Sequence, residues 1–130
     1  MVEEFDGEIR EASFTDPFDF DITLDDGGIG RVIVPRVRGV LRMIVFDPKG
    51  LAPARFAIKP KSWPIFLLKS DFISKFTVLY PKVKADDISG GKFIETASDI
   101  YVDNELELIV EGASNTSVRL LLRFSKWENI

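Results

Sequence analysis

The chain contains no histidine, no cysteine and no glutamine, and its asparagines are confined to Asn104, Asn115 and Asn129. Losing histidine and cysteine removes the commonest metal ligands, the commonest general base, the thiol nucleophile and any disulfide framework. Catalysis would have to be built from Ser, Lys, Asp, Glu or Tyr alone, and no spacing among the 21 acidic residues selects a carboxylate pair. Lys69 beside Ser70, and Ser74 beside Lys75, are adjacent in sequence, which on a strand turns the two side chains to opposite faces. The chain therefore reads as non-enzymatic, with no cofactor. The missing glutamine, the scarce asparagine and the seven prolines placed mostly between apolar runs resemble the bias of heat-stable proteins, so thermostability is an expectation. Long apolar runs are absent too, with nothing near the roughly 20 residues of a membrane span. The opening Met1-Val2-Glu3-Glu4-Phe5-Asp6 is acidic and lacks both the basic and the apolar region of a secretory signal, so neither a signal peptide nor a transmembrane segment is expected.

What is present suits one globular unit. At 130 residues, 45% hydrophobic and 29% charged, the chain has the length and apolar content of a single domain spanning 1–130, with residues 1–13 set apart as a candidate N-terminal arm. Phe18-Asp19-Phe20-Asp21-Ile22-Thr23-Leu24 alternates strictly, the mark of a half-buried strand with Phe18, Phe20, Ile22 and Leu24 inward. Asp25-Asp26-Gly27-Gly28 supplies a tight turn, and Ile29 to Val34 resumes an apolar run, which together read as a hairpin. Val37 to Phe46 reads as a separate central strand, with Leu41, Met43 and Val45 on one face and Val40, Ile44 and Phe46 on the other, closed by Asp47-Pro48-Lys49-Gly50. Arg55 to Ile58 is a short strand.

The stretch 65–80 admits two readings. Ile65, Leu68, Phe72, Phe76 and Leu79 have helical spacing with Ser62 as a cap, but the β-branched and aromatic content and Pro81 favour two strands, Ile65 to Lys69 and Phe72 to Tyr80. After a turn at Ser89-Gly90-Gly91 come short strands at Lys92 to Ala97 and Ile100 to Val102. A second hairpin joins Leu106 to Val110 with Val118 to Phe124 through Gly112-Ala113-Ser114-Asn115-Thr116. Eight to ten short strands without a helical period predict an all-β, single-domain β-sandwich of jelly-roll or Ig-like type, with Phe18, Phe20, Ile22, Leu24, Val45, Leu108, Val110, Leu120 and Leu122 in its core.

Charge is segregated. Residues 1–26 carry ten acidic side chains against Arg10, residues 27–84 twelve basic against Asp47 and Asp71, and residues 85–130 nine acidic against four basic. Pairing of the acidic first strands with the basic middle strands inside one sheet is the plainest explanation. A dipolar protomer whose acidic edge meets the basic edge of a neighbour is the functional one, and would give a homo-oligomer closed as a ring, with a trimer expected. Nucleic acid is not expected as a partner, because the basic residues are spread thinly among apolar strand positions and the net charge is −4.

Asp19, Asp21, Asp25 and Asp26 suggest a calcium loop at first sight, but alternation and turn chemistry explain them and no acidic residue stands where an EF-hand needs its last ligand. Of the aromatics, eleven are Phe, a core residue, whereas Trp63 beside Pro64 and Trp127 near the end are the expected exposed contacts. With Arg36 and Arg38 on the basic middle they make the candidate interaction surface.

Tyr101-Val102-Asp103-Asn104-Glu105-Leu106-Glu107-Leu108-Ile109-Val110-Glu111-Gly112 and Asn115 to Phe124 look like the terminal hairpin of small β-sandwich virion proteins of tailed phages. Trp63-Pro64-Ile65-Phe66-Leu67 sits where such proteins carry a tryptophan-led strand. The resemblance covers about a third of the chain and implies a capsid-decorating, fibre or tail component located in a virion, or in the cytoplasm before assembly, contacting other virion proteins. It carries no catalytic or ligand residue. The alternative is a carbohydrate-binding or adhesion module with a glycan stacked on exposed tryptophan.

Overall fold

A computed structural model describes residues 17–50, 52–81, 83–89 and 92–126. Among these there are nine strands and no helix: β1 (Phe18–Thr23), β2 (Ile29–Asp47), β3 (Arg55–Pro60), β4 (Leu68–Lys69), β5 (Thr77–Leu79), β6 (Val83–Ser89), β7 (Lys92–Ser98), β8 (Ile100–Glu111) and β9 (Ser117–Lys126). The all-β expectation holds. Seven strands form one antiparallel sheet in the order β1-β9-β2-β8-β3-β4, with β5 on β2, while β6 and β7 pair with each other. The proposed arm 1–13 and Gly90-Gly91 lie outside the described residues.

Period-two patterning decides which faces are buried. Along β8 the even positions Ile100, Val102, Leu106, Leu108 and Val110 are buried, and along β9 Val118, Leu120, Leu122 and Phe124. With Ile22 and Leu24 from the end of β1, and Phe56 and Ile58 from β3, they form one apolar cluster, against which Phe18 and Phe20 pack half-buried.

Both expected hairpins are corrected. The Asp25–Gly28 turn forms, with the Gly28 N–H donating to the Asp25 carbonyl at 2.9 Å, but β1 pairs with β9 in the register Phe18↔Leu122 to Thr23↔Ser117, and β2 begins against β8 at Ile29↔Glu111. Likewise β8 does not pair with β9 but with β2 and β3. The two turns meet instead: the Gly112 N–H donates to the Gly28 carbonyl at 2.8 Å and the Asn115 N–H to the Asp25 carbonyl at 3.2 Å. A hairpin would join the two strands in one ribbon, whereas here each strand of an expected hairpin takes its neighbours from elsewhere in the sheet. At Gly30 a Cβ would stand 2.6 Å from Ile22 Cγ2 and 2.7 Å from the Thr23 carbonyl oxygen, so the start of β2 passes close to the end of β1 and has no room for a side chain there.

The separate strands expected on either side of Pro35 are one, β2. Register shifts between Val34 and Val37, and between Leu41 and Met43, accommodate the proline and re-aim the side chains. As a result Val34, Val37, Leu41, Ile44 and Phe46 all reach the main cluster, and the expected grouping of Leu41 with Met43 and Val45 is wrong. Val45 is buried, but alternation from Ile44 and Phe46 sets it on the opposite face, outside that cluster. The stretch 65–80 contains no helix; its regular parts shrink to β4 and β5, and β6 is a strand the sequence did not announce.

Candidate docking surface

The chain from Pro60 to Ile73 is pinned along β3 by its backbone, and Thr77–Leu79 then pairs with β2. The Leu67 N–H donates to the Ile58 carbonyl at 2.8 Å and the Ser70 N–H to the Phe56 carbonyl at 2.9 Å, and Ala54 and Ile73 exchange two bonds of 3.0 and 2.7 Å. Lys59 Nζ closes the turn that follows β3 by donating to the carbonyls of Pro60, Lys61 and Trp63. Ser70 Oγ accepts from the Phe56 N–H and donates to the Asp71 carbonyl, which ties up the one hydroxyl beside Lys69.

Such pinning sends a few side chains inward and leaves the rest outside. Leu67, Leu68, Ile73 and Leu79 pack against the core, whereas Trp63 (54% exposed), Ile65 (68%), Phe72, Phe76, Val78 and Tyr80 (72%) face solvent. Soluble monomers rarely leave so many large apolar groups together in water. A cleft of about 310 Å³ opens next to Tyr80, walled by the apolar Phe56, Leu68, Ile73, Leu79, Tyr80 and Pro81 together with Lys69, Ser70 and Asp71. Cations edge the patch: Arg55 lies 4.8 Å from the Phe72 ring centre and Lys69 Nζ 4.6 Å from that of Phe66.

Of the expected surface residues, Trp63 is exposed as predicted, and Trp127 lies outside the described residues. Arg36 holds Asp103 with bonds of 3.1 and 2.7 Å and walls a polar cleft with Lys61, Ser62, Asn104 and Glu105, next to Trp63 in the chain. Arg38 is exposed on β2, in register with Asp103, and does not wall that cleft. The reading of phenylalanine as core filler needs correcting by position: Phe46, Phe56 and Phe124 are buried, whereas Phe66, Phe72 and Phe76 are exposed. The available signal was the failure of 63–80 to alternate cleanly between Pro64 and Pro81.

The segregated charges are largely paired within the sheet, although the donors differ from those expected. The basic residues of β2 and β3 meet the third segment, on β8 and just before it: Arg31 and Lys59 both reach Glu107 at 3.2 Å, Arg55 binds Glu111 at 2.6 Å and Arg42 reaches Asp99 at 3.3 Å. From the first segment, Asp19 receives two bonds from Arg119 at 2.9 and 2.8 Å and Asp21 one from Lys49 at 2.8 Å. Asp25 Oδ1 accepts from the N–H groups of Gly27 and Ile29. Asp19, Asp21 and Asp25 are thus each held by their own partners, and among the described residues no three acidic side chains gather as a cation site would require.

A pH dependence follows. The hydrogen bond from Arg119, aided by its charge and opposed by partial burial, holds the Asp19 carboxyl below its ordinary 3.8. At Glu107 burial pushes the carboxyl up, but the hydrogen bonds and charges of Lys59 and Arg31 outweigh it and the net result lies below 4.5. Both groups bind protons less readily folded than unfolded, so their contribution is complete above the ordinary carboxylate range and disappears as pH falls through and below it. The urea midpoint should stay level from neutral pH to about pH 5 and then drop, and Glu107→Gln should make that drop shallower.

Comparison of the chain with protein-family models, with curated proteins and with solved structures finds no match.

Proposed function

We propose that this protein is a non-enzymatic structural or assembly component that self-associates through the apolar patch at 63–80. The observation that carries this reading is the patch itself: exposed Trp63, Ile65, Phe72, Phe76, Val78 and Tyr80 fixed on a β scaffold whose ion pairs are largely internal. Burying such a surface against a partner gains roughly 25 cal/mol per Å² of apolar area. The sandwich expectation belongs to the same proposal. It is supported by the bent β2, whose first half pairs with β8 over Ile29 to Leu41 and whose second half pairs with β9 and β5 up to Asp47, so that its bulges serve as the corner between two layers.

A virion component is the class proposed, on the resemblance of the C-terminal stretch. Its two strands and their turn are present as β8 and β9, but joined to different neighbours, and Trp63 to Leu67 is an irregular segment instead of a strand. Mass spectrometry of purified virions or native complexes from the source is the test. Recovery at high copy number is the expected result, and its presence only as a free monomer would overturn the assembly reading. Exposed Trp63 beside the polar Arg36, Lys61 and Asn104 cleft favours glycan binding as the second reading. Saturable polysaccharide retention that is lost in Trp63→Ala would promote it.

A further inference from the structure

We infer that the patch at 63–80 receives residues 1–16 of a second copy of this chain, an inference that rests on the self-association reading above. Three observations choose this occupant. The first is charge. Residues 1–16 carry six carboxylates against Arg10, while residues 61–84 carry five lysines against Asp71. In the patch, Lys69 stands over Phe66, and Lys75 makes no ion pair with a described residue, so these cations keep their charge available when others are neutralised by β8.

The second is position. The row Phe18, Leu122, Ile44, Leu79 runs across the sheet from β1 through β9 and β2 to β5. Strands lie about 4.8 Å apart, so the start of β1 stands about 14 Å from β5, at the opposite margin of this part of the sheet. β1 runs away from Phe18 toward Thr23 and β5 runs toward Leu79, so the chain entering β1 and the Tyr80 side of the apolar cleft share one end of the sheet. An acidic segment leaving one margin and a basic apolar acceptor on the other are the two halves of a heterologous, head-to-tail contact, which repeats into a ring.

The third is pattern. Extended, residues 4–9 would set Phe5, Gly7 and Ile9 on one face and Glu4, Asp6 and Glu8 on the other. β5 bonds only to β2 among the described strands, so an arriving strand could add at its outer edge. Phe5 and Ile9 would then cover the cleft beside Leu79 and Tyr80 while the carboxylates meet Lys69 and Lys75.

The test is charge reversal read by light scattering on a sizing column at high micromolar concentration and low salt. The full chain should be oligomeric. Lys69→Glu with Lys75→Glu, and separately Glu4→Lys with Glu8→Lys, should each weaken association about tenfold, and a chain with all four changes should recover most of it. Unchanged thermal midpoints would confirm that the variants are folded. An oligomer whose dissociation constant neither pair alters overturns the docking inference and leaves self-association standing. A full-length monomer overturns both. Concentration-independent monomers in which Glu4→Lys with Glu8→Lys exposes 63–80 to protease would show docking within one chain, and overturn the second copy as occupant.

Discussion

Phe46→Ala is expected to lower the unfolding free energy by about 3 to 5 kcal/mol, enough to unfold a large share of a marginally stable domain. Phe46 is completely buried and pairs in register with Leu120 on one side and Thr77 on the other, so it sits where β9, β2 and β5 meet. Its ring lies 5.1 Å from that of Phe56 on β3, a strand that reaches β2 only through β8. Truncation removes this link as well as the area, and the void it leaves is walled by strands held in ladders, which cannot collapse into it. Urea unfolding followed by fluorescence measures the loss. Substituting the half-buried Phe18, which touches Phe124 edge-on at 5.9 Å, should cost clearly less. Equal losses at the two positions would show that the apolar cluster is not centred on the Phe46–Phe56 contact.

The second large effect is expected at Gly28. Its φ is +78°, and a Cβ there would stand 2.2 Å from the Gly112 carbonyl oxygen, at the point where the β1–β2 turn meets the β8–β9 turn. That carbonyl belongs to backbone, and the Gly112 N–H in turn donates to Gly28, so neither turn can yield without breaking the junction. Gly28→Ala should cost about 2 to 5 kcal/mol, from left-handed strain plus the clash. Gly50 provides the control, because its φ is +69° and an added Cβ would meet nothing within 4 Å. Gly50→Ala should cost only about 1 to 2 kcal/mol, the conformational part alone. Matching losses at the two glycines would mean that the turns do not press on each other.

These two sites also separate local from long-range information. Alternation in Phe18 to Leu24, Leu106 to Val110 and Val118 to Phe124 is a property of neighbouring residues, because successive strand side chains point to opposite faces whatever the strand pairs with. Strand identity, the inward residues and the turns at Asp25–Gly28 and Asp47–Gly50 were therefore readable directly. The exposed tryptophan at Trp63 was readable too, from the proline beside it. Pairing partners were not. A short glycine turn between two apolar runs is equally consistent with a hairpin and with an exchange of partners, and the choice depends on whether another pair of strands is present to cover the apolar rows.

The patch at 63–80 escaped for a related reason. Ile65, Phe72 and Phe76 are as apolar as Leu68 and Leu79, and only the bonds to Ile58, Phe56 and Ala54 and the pairing of β5 with β2 decide which of them turn inward. Composition and alternation alone thus determined an all-β chain with a defined apolar face on most of its strands. The tertiary structure decided which strands meet, how the bulges at Val34–Val37 and Leu41–Met43 rotate β2 to keep its side chains in the core, and which aromatic residues remain in water, because each of these depends on contacts between residues far apart in the chain.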